Sequence, residues 1–160
     1  MVLMEWQDSY SLGIVAIDLQ HRVLMDMTNR LHRAALGEKN GDDIEYAMHE
    51  LLTYVEFHFS FEERLMAECG YPLLIEHRDS HQGLLAEFRA LQVDINGGRL
   101  VLNDRVMNFL QGWLTHHIVS SDRLFAPLAL AAGRKTFVIP RFPVSPPGGG
   151  SLTETAGRVK

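Results

Sequence analysis

Five histidines and one glutamate fall where a helical protein normally buries hydrocarbon. Ile44, Met48, Leu51, Val55, His58, Glu62 and Leu65 recur at i, i+3, i+4 spacing, which marks one buried helix face. Leu74, His77, His81, Leu84, Leu85, Phe88 and Leu91 form a second stripe of the same kind. Ile17, His21, Leu24, Met25, Thr28 and Leu31 form a third, and Val106, Phe109, Leu110, Trp113 and His117 a fourth. A lone histidine on such a stripe is ordinarily a hydrogen-bonded core residue. Here every stripe carries at least one. Unpartnered buried polar groups cost roughly 2–7 kcal/mol each, and a buried carboxylate more, whereas a shared cation satisfies them together. His58 and Glu62 are four apart, as are His77 and His81, so each pair projects from one helix face to one point. Imidazole with carboxylate suits iron, zinc or copper and poorly suits calcium or magnesium.

The other three histidines act as a control. His49 lies nine residues from His58, on the opposite side of that helix at about 100° per residue, and is expected in solvent. His116 is turned about 100° from His117. His32 shares the face of His21 but sits eleven residues, about 16 Å, further along, and reads as a core or loop-end histidine.

Four helix-length segments must position these residues. The first is expected from about Asp18, whose carboxylate suits an N-cap, to Leu36, with Gly37 to Gly41 stopping it. The second runs from about Asp43 to Glu68, with Asp42 and Glu45 spaced as a capping box and Gly70 beyond its end. The third opens at Pro72, where a missing N–H is harmless, and runs to about Ile95 before Asn96-Gly97-Gly98. The fourth spans about Asn103 to Ala132, with Pro127 set to bend or shorten its end. Four amphipathic helices on short loops give an all-α, up-down-up-down antiparallel four-helix bundle over residues 1–132, with an N-terminal arm carrying Trp6, Tyr10, Leu12 and Ile14. Residues 133–160 hold Pro140, Pro143, Pro146, Pro147 and Gly148-Gly149-Gly150, the composition of a flexible tail. There is no internal repeat.

Composition agrees with one ordinary globular domain: 160 residues, 46% hydrophobic and 22% charged. A net charge of −5 supplies no basic footprint for nucleic acid or for an anionic membrane. The single cysteine, Cys69, cannot form an internal disulfide, and no role is assigned to it. Met1 to Tyr10 lacks a basic-then-apolar leader layout, and no apolar run is long enough to span a bilayer. The expectation is a soluble cytoplasmic protein.

The motifs Ile17-Asp18-Leu19-Gln20-His21, His58-Phe59-Ser60-Phe61-Glu62-Glu63, His77 with His81 after Tyr71-Pro72, and Trp113-Leu114 followed by His117-Ile118 and Asp122 resemble those of the bacterial hemerythrins, from about Trp6 to Leu130. All seven ligand slots of that family pattern are filled. Seven ligands are too many for one ion and suit two ions bridged by carboxylates. The resemblance implies two non-haem irons with a bridging oxo or hydroxo oxygen. One iron would take His77, His81 and His117; the other would take His21 and His58 and keep a vacant position. Glu62 and Asp122 would bridge them. It further implies reversible binding of dioxygen, as a hydroperoxide, beside a wall of Leu24, Phe59, Trp113, Leu114 and Ile118. Such residues would be core in any bundle, but a dry wall offers bound oxygen no acid.

His117 and Asp122 are five apart, which a regular α-helix would separate by about 140° around its axis. If both face one metal pair, a π-type widening or a bend is expected between Ile118 and Asp122.

Three other functions compete with oxygen carriage. A di-iron oxidase, peroxidase or nitric-oxide-handling enzyme would ordinarily show Glu-x-x-His on two helices, and the chain contains none. A signalling or interaction module would have only the Pro-rich tail to engage a partner. A structural zinc bundle would close each ion with four ligands, commonly including thiolate.

Overall fold

The computed structural model describes residues 2–37 and 43–133. Five α-helices are found there: α1 (Val15–Ala35), α2 (Ile44–Cys69), α3 (Leu74–Asn96), α4 (Asp104–His116) and α5 (Arg123–Ala131). A π-helical segment, His117–Asp122, joins α4 to α5, so these three pieces form the fourth rod of a bundle. No strand occurs among the described residues. Helix α1 packs on α2 and α2 on α3, while α4 and α5 close against α1 and α2. None of these helices is long and apolar enough to cross a membrane.

Helix ends follow local chemistry, with two corrections to the sequence reading. Asp18 is not the N-cap of α1, which begins three residues earlier. Its carboxylate instead reaches back from the first turn and accepts from Leu12 N at 2.8 Å and from Ser11 Oγ at 2.6 Å, tying down the incoming loop. Nor does Pro72 open α3; it lies in the turn before Leu74. Helix α2 is capped by Asp43, which accepts from Glu45 N at 2.7 Å. Asp42, expected in that role, lies outside the described residues, as do Gly41 and all of the Pro-rich stretch after Gly133. The far end of α2 stops where Gly70, at φ 67°, turns left-handed. Gly70 N donates to Ala67 O and Tyr71 N to Met66 O, the paired bonds that satisfy a helix's last carbonyls. Asn103 caps α4 as its position suggests.

The core has three layers along the bundle. Leu24, Leu31, Met48, Leu51, Val55, Phe88, Leu110 and Leu114 fill one apolar cluster. Ile14, Ile17, Phe61, Leu65, Met66, Phe125 and Ala129 fill the other. The histidines and carboxylates of the stripes sit between them. Phe109 departs from its expected place and is 49% exposed, because α4 centres its buried face on Met107, Leu110 and Leu114.

The start of the arm before α1 is clasped by Asn29. Asn29, nearly buried on α1, accepts from Leu3 N and Met4 N, both at 2.9 Å, and donates to Met4 O at 2.8 Å. Met4 enters the apolar core, and the Arg22 guanidinium carbon lies 4.0 Å from the centre of the Trp6 ring. Asn29→Ala is expected to cost about 2 kcal/mol, since three backbone groups lose their partner. Equilibrium urea unfolding and limited proteolysis check this; an unchanged midpoint with an uncut arm would contradict it.

Candidate metal centre

Seven side chains from four rods converge in the polar middle layer: His21 from α1, His58 and Glu62 from α2, His77 and His81 from α3, and His117 and Asp122 from the π segment. All seven are buried. His49 and His116 are exposed, as their phases predicted, and His32 is buried outside the group, as its distance along α1 from His21 predicted.

The two carboxylates divide the group into halves. Glu62 Oε1 lies 3.8 Å from His21 Nε2 and 3.6 Å from His58 Nε2, and Asp122 Oδ2 lies 3.3 Å from His21 Nε2. The other oxygens face the other way. Glu62 Oε2 is 3.5 Å from His81 Nε2 and 4.0 Å from His77 Nε2; Asp122 Oδ1 is 3.4 Å from His77 Nε2 and 3.1 Å from His117 Nε2. Each carboxylate therefore presents one oxygen to a two-histidine half and one to a three-histidine half, and the candidate donors of each half lie within 4.8 Å of one another.

The π segment makes this convergence possible. In an i→i+5 turn, residues five apart stack on one face, so Asp122 comes round beneath His117. The widening anticipated between Ile118 and Asp122 is present and begins one residue earlier. Pro127 does not end α5, which continues through it to Ala131.

Without a cation the arrangement is unfavourable. His21 Nε2, His58 Nε2, His77 Nε2 and all four oxygens of Glu62 and Asp122 are buried with no hydrogen-bond partner. His81 Nε2 and His117 Nε2 face each other at 3.0 Å, where two lone pairs repel unless a proton or a cation lies between them. Orphaned atoms of this kind, aimed inward from imidazole and carboxylate, fit a pair of transition-metal ions bridged by carboxylates.

Electrostatics shows the same strain. Burial, then neighbouring His21, holds the His58 pKa well below 6.5, and burial with His117 and His77 pushes His81 down to about 2. Burial and the Asp122 charge raise Glu62 well above its ordinary value. Burial would raise Asp122 too, but the pull of His117, joined by His21 and His77, outweighs it and holds Asp122 well below 3.8. In the metal-free protein the fold thus favours the Asp122 anion and the neutral rings of His58 and His81.

These shifts fix a pH dependence. Below 6.5 the unfolded chain protonates imidazoles that folded His58 and His81 keep neutral, so their contribution falls as pH drops. The stabilising share of Asp122 is present above 3.8 and is lost as pH falls through its lower folded value. Glu62 works oppositely, favouring the fold as pH falls toward 4.5, below which its effect is constant. Metal-free protein is expected to show a lower urea midpoint at pH about 4 than at pH about 7. A flat or rising midpoint would contradict the assignment.

Two neighbours hold the rings from behind, and the sequence reading gave neither a role. Gln20 Oε1 lies 2.9 Å from His58 Nδ1, and Glu63 Oε1 lies 3.0 Å from His81 Nδ1. Glu63 is itself bonded by Arg78 Nε at 3.0 Å. One signal for Gln20 was available: it is four residues before Leu24 and so falls on the buried face.

Of the expected apolar wall, Leu24, Phe59, Leu114 and Ile118 are buried in one core cluster, and Trp113 packs against it partly exposed. Phe59 stacks on His81 at 3.6 Å between ring centres, and Trp113 lies nearly parallel to His117 at 6.3 Å.

Residues 12–129 match the family model described as the hemerythrin HHE cation binding domain. A bacteriohemerythrin of Stenotrophomonas maltophilia is 34% identical over 133 residues, covering 79% of this chain and 81% of the relative. One from Methylococcus capsulatus is 33% identical over 129 residues, covering 79% and 97%. A crystal structure of wild-type hemerythrin superposes with a TM-score of 0.73 at 30% identity, over 79% of this chain and 98% of that one.

Proposed function

The chain belongs to the hemerythrin family, and from that premise we propose that it binds dioxygen reversibly at a pair of non-haem iron ions. The carrying observation is the pair of buried donor sets that share Glu62 and Asp122, one with three imidazoles and the other with two. The two-histidine set is one donor short, which leaves the place for a small exogenous ligand beside His21 and His58. When bound, the ions would supply two electrons to dioxygen and take them back on its release.

The protein's own residues support carriage over oxidation. His77, His81 and His117 would hold one ion, His21 and His58 the other, and Glu62 and Asp122 would bridge. Five imidazoles against two carboxylates leave less negative charge around the pair than a carboxylate-rich set would. That stabilises the reduced state and disfavours high-valent chemistry. Leu24, Phe59, Leu114 and Ile118 supply only hydrocarbon, and the indole of Trp113 is no acid, so this wall excludes water and withholds the proton that would drive oxidation.

A visible absorption spectrum of the reduced, iron-loaded protein tests this, taken before air, after air, and after the oxygen is withdrawn. A charge-transfer band that appears with dioxygen and disappears on its removal is the expected result. Immediate passage to a stable ferric spectrum, with peroxide or an oxidised substrate released, would establish a di-iron redox enzyme instead.

A further inference from the structure

The two halves of the centre differ in what stands behind their ligands, and the difference is chemical as well as positional. With Nε2 of His58 turned to the cluster, its Nδ1 carries the proton and donates to Gln20 Oε1, the oxygen of a neutral amide. His81 is held through the same atom, but by the Glu63 carboxylate. A carboxylate behind a ligating imidazole draws on the ring proton and makes the opposite nitrogen a stronger donor; an amide fixes the ring's orientation with far less of that effect. Gln20 holds this place at a cost. It is 1% exposed and its Nε2 has no partner, so a buried N–H₂ group goes unsatisfied to keep an uncharged acceptor behind His58.

We propose that Gln20 and Glu63 are positioning residues that make the two ions electronically unequal, an amide keeping the two-histidine ion electron-poor and a carboxylate enriching the three-histidine ion. This rests on the metal pair proposed above. Its consequence is that the half a donor short is also the weaker binder, and the ion there is held in its reduced form more readily than its neighbour. Arg78, bonded to Glu63 on the outer side and about half exposed, keeps that carboxylate oriented toward His81.

Cobalt(II) titration of the metal-free full-length protein against a competing chelator tests the idea without any oxygen chemistry. Two binding steps are expected in the wild type. Gln20→Glu is expected to tighten the weaker step about tenfold, and Gln20→Ala to loosen it about tenfold; Glu63→Gln is expected to loosen the tighter step by a similar factor. A purely structural role for Gln20 would not give opposite signs for its two substitutions. Glu63 lies at the edge of the core, so Glu63→Gln remains informative should either Gln20 variant fold poorly. Two cobalt ions bound with wild-type affinities in Gln20→Glu and Glu63→Gln would overturn this inference alone. A wild-type chain that takes up no cobalt would overturn the metal pair and the inference together.

Discussion

Asp122→Ala is expected to abolish the dioxygen-dependent band and to reduce bound iron from two ions per chain to at most one. The aspartate offers Oδ2 to the His21 side at 3.3 Å and Oδ1 to the His117 side at 3.1 Å, so its loss removes a donor from both halves at once. Substituting a residue behind the ligands costs about 10–100-fold in metal affinity, and losing a shared ligand should cost roughly 100-fold or more at each ion. Metal-free Asp122→Ala should melt lower than metal-free wild type at neutral pH, because the surrounding imidazoles favour the Asp122 anion in the folded state. Metal analysis alongside paired thermal melts reads both outcomes. An alanine variant that keeps two irons would remove Asp122 from the centre; one whose metal-free form melts as high as the wild type's would contradict the stabilising share of its charge.

Stripping the metal should have the second large effect. The fold carries its orphaned ring nitrogens and carboxylate oxygens in the middle of its core, between the Leu24–Leu114 cluster and the Ile17–Phe125 cluster. Metal binds the folded protein and not the unfolded one, so loading stabilises by RT ln(1 + [L]/Kd), about 4 kcal/mol per site at a thousandfold excess over Kd. For two sites in a domain of this size the melting temperature should rise on the order of 20 °C. Calorimetry of chelator-treated and iron-loaded samples at neutral pH checks this. Equal melting temperatures would mean that the converging side chains satisfy one another unaided.

Much of this was legible before any coordinates. Helical stripes are periodic, so His58, Glu62, His77 and His81 could be placed on buried faces by counting in steps of three and four, and His49 and His116 placed outside by the same count. Spacing also exposed its own failure at His117 and Asp122, where a regular helix would point the two apart. The expected widening is the π segment His117–Asp122. Turn residues located the helix ends to within a few positions, but not which atom caps which, since Asp18 and Asp43 are each one of several polar residues near an end.

What the sequence determined by itself is what depends on local periodicity: four amphipathic rods, their buried faces, and the residue types on those faces. What only the tertiary structure decided is how the faces meet. That Glu62 and Asp122 each split their oxygens between two halves, that Asn29 clasps the arm at Leu3 and Met4, and that Gln20 stands behind His58 while Glu63 stands behind His81 all depend on rotation and axial offset between helices. Those offsets are set by packing over the whole core, where a shift of about one residue, 1.5 Å along an axis, would separate the partners, and no count along one strand of sequence contains them.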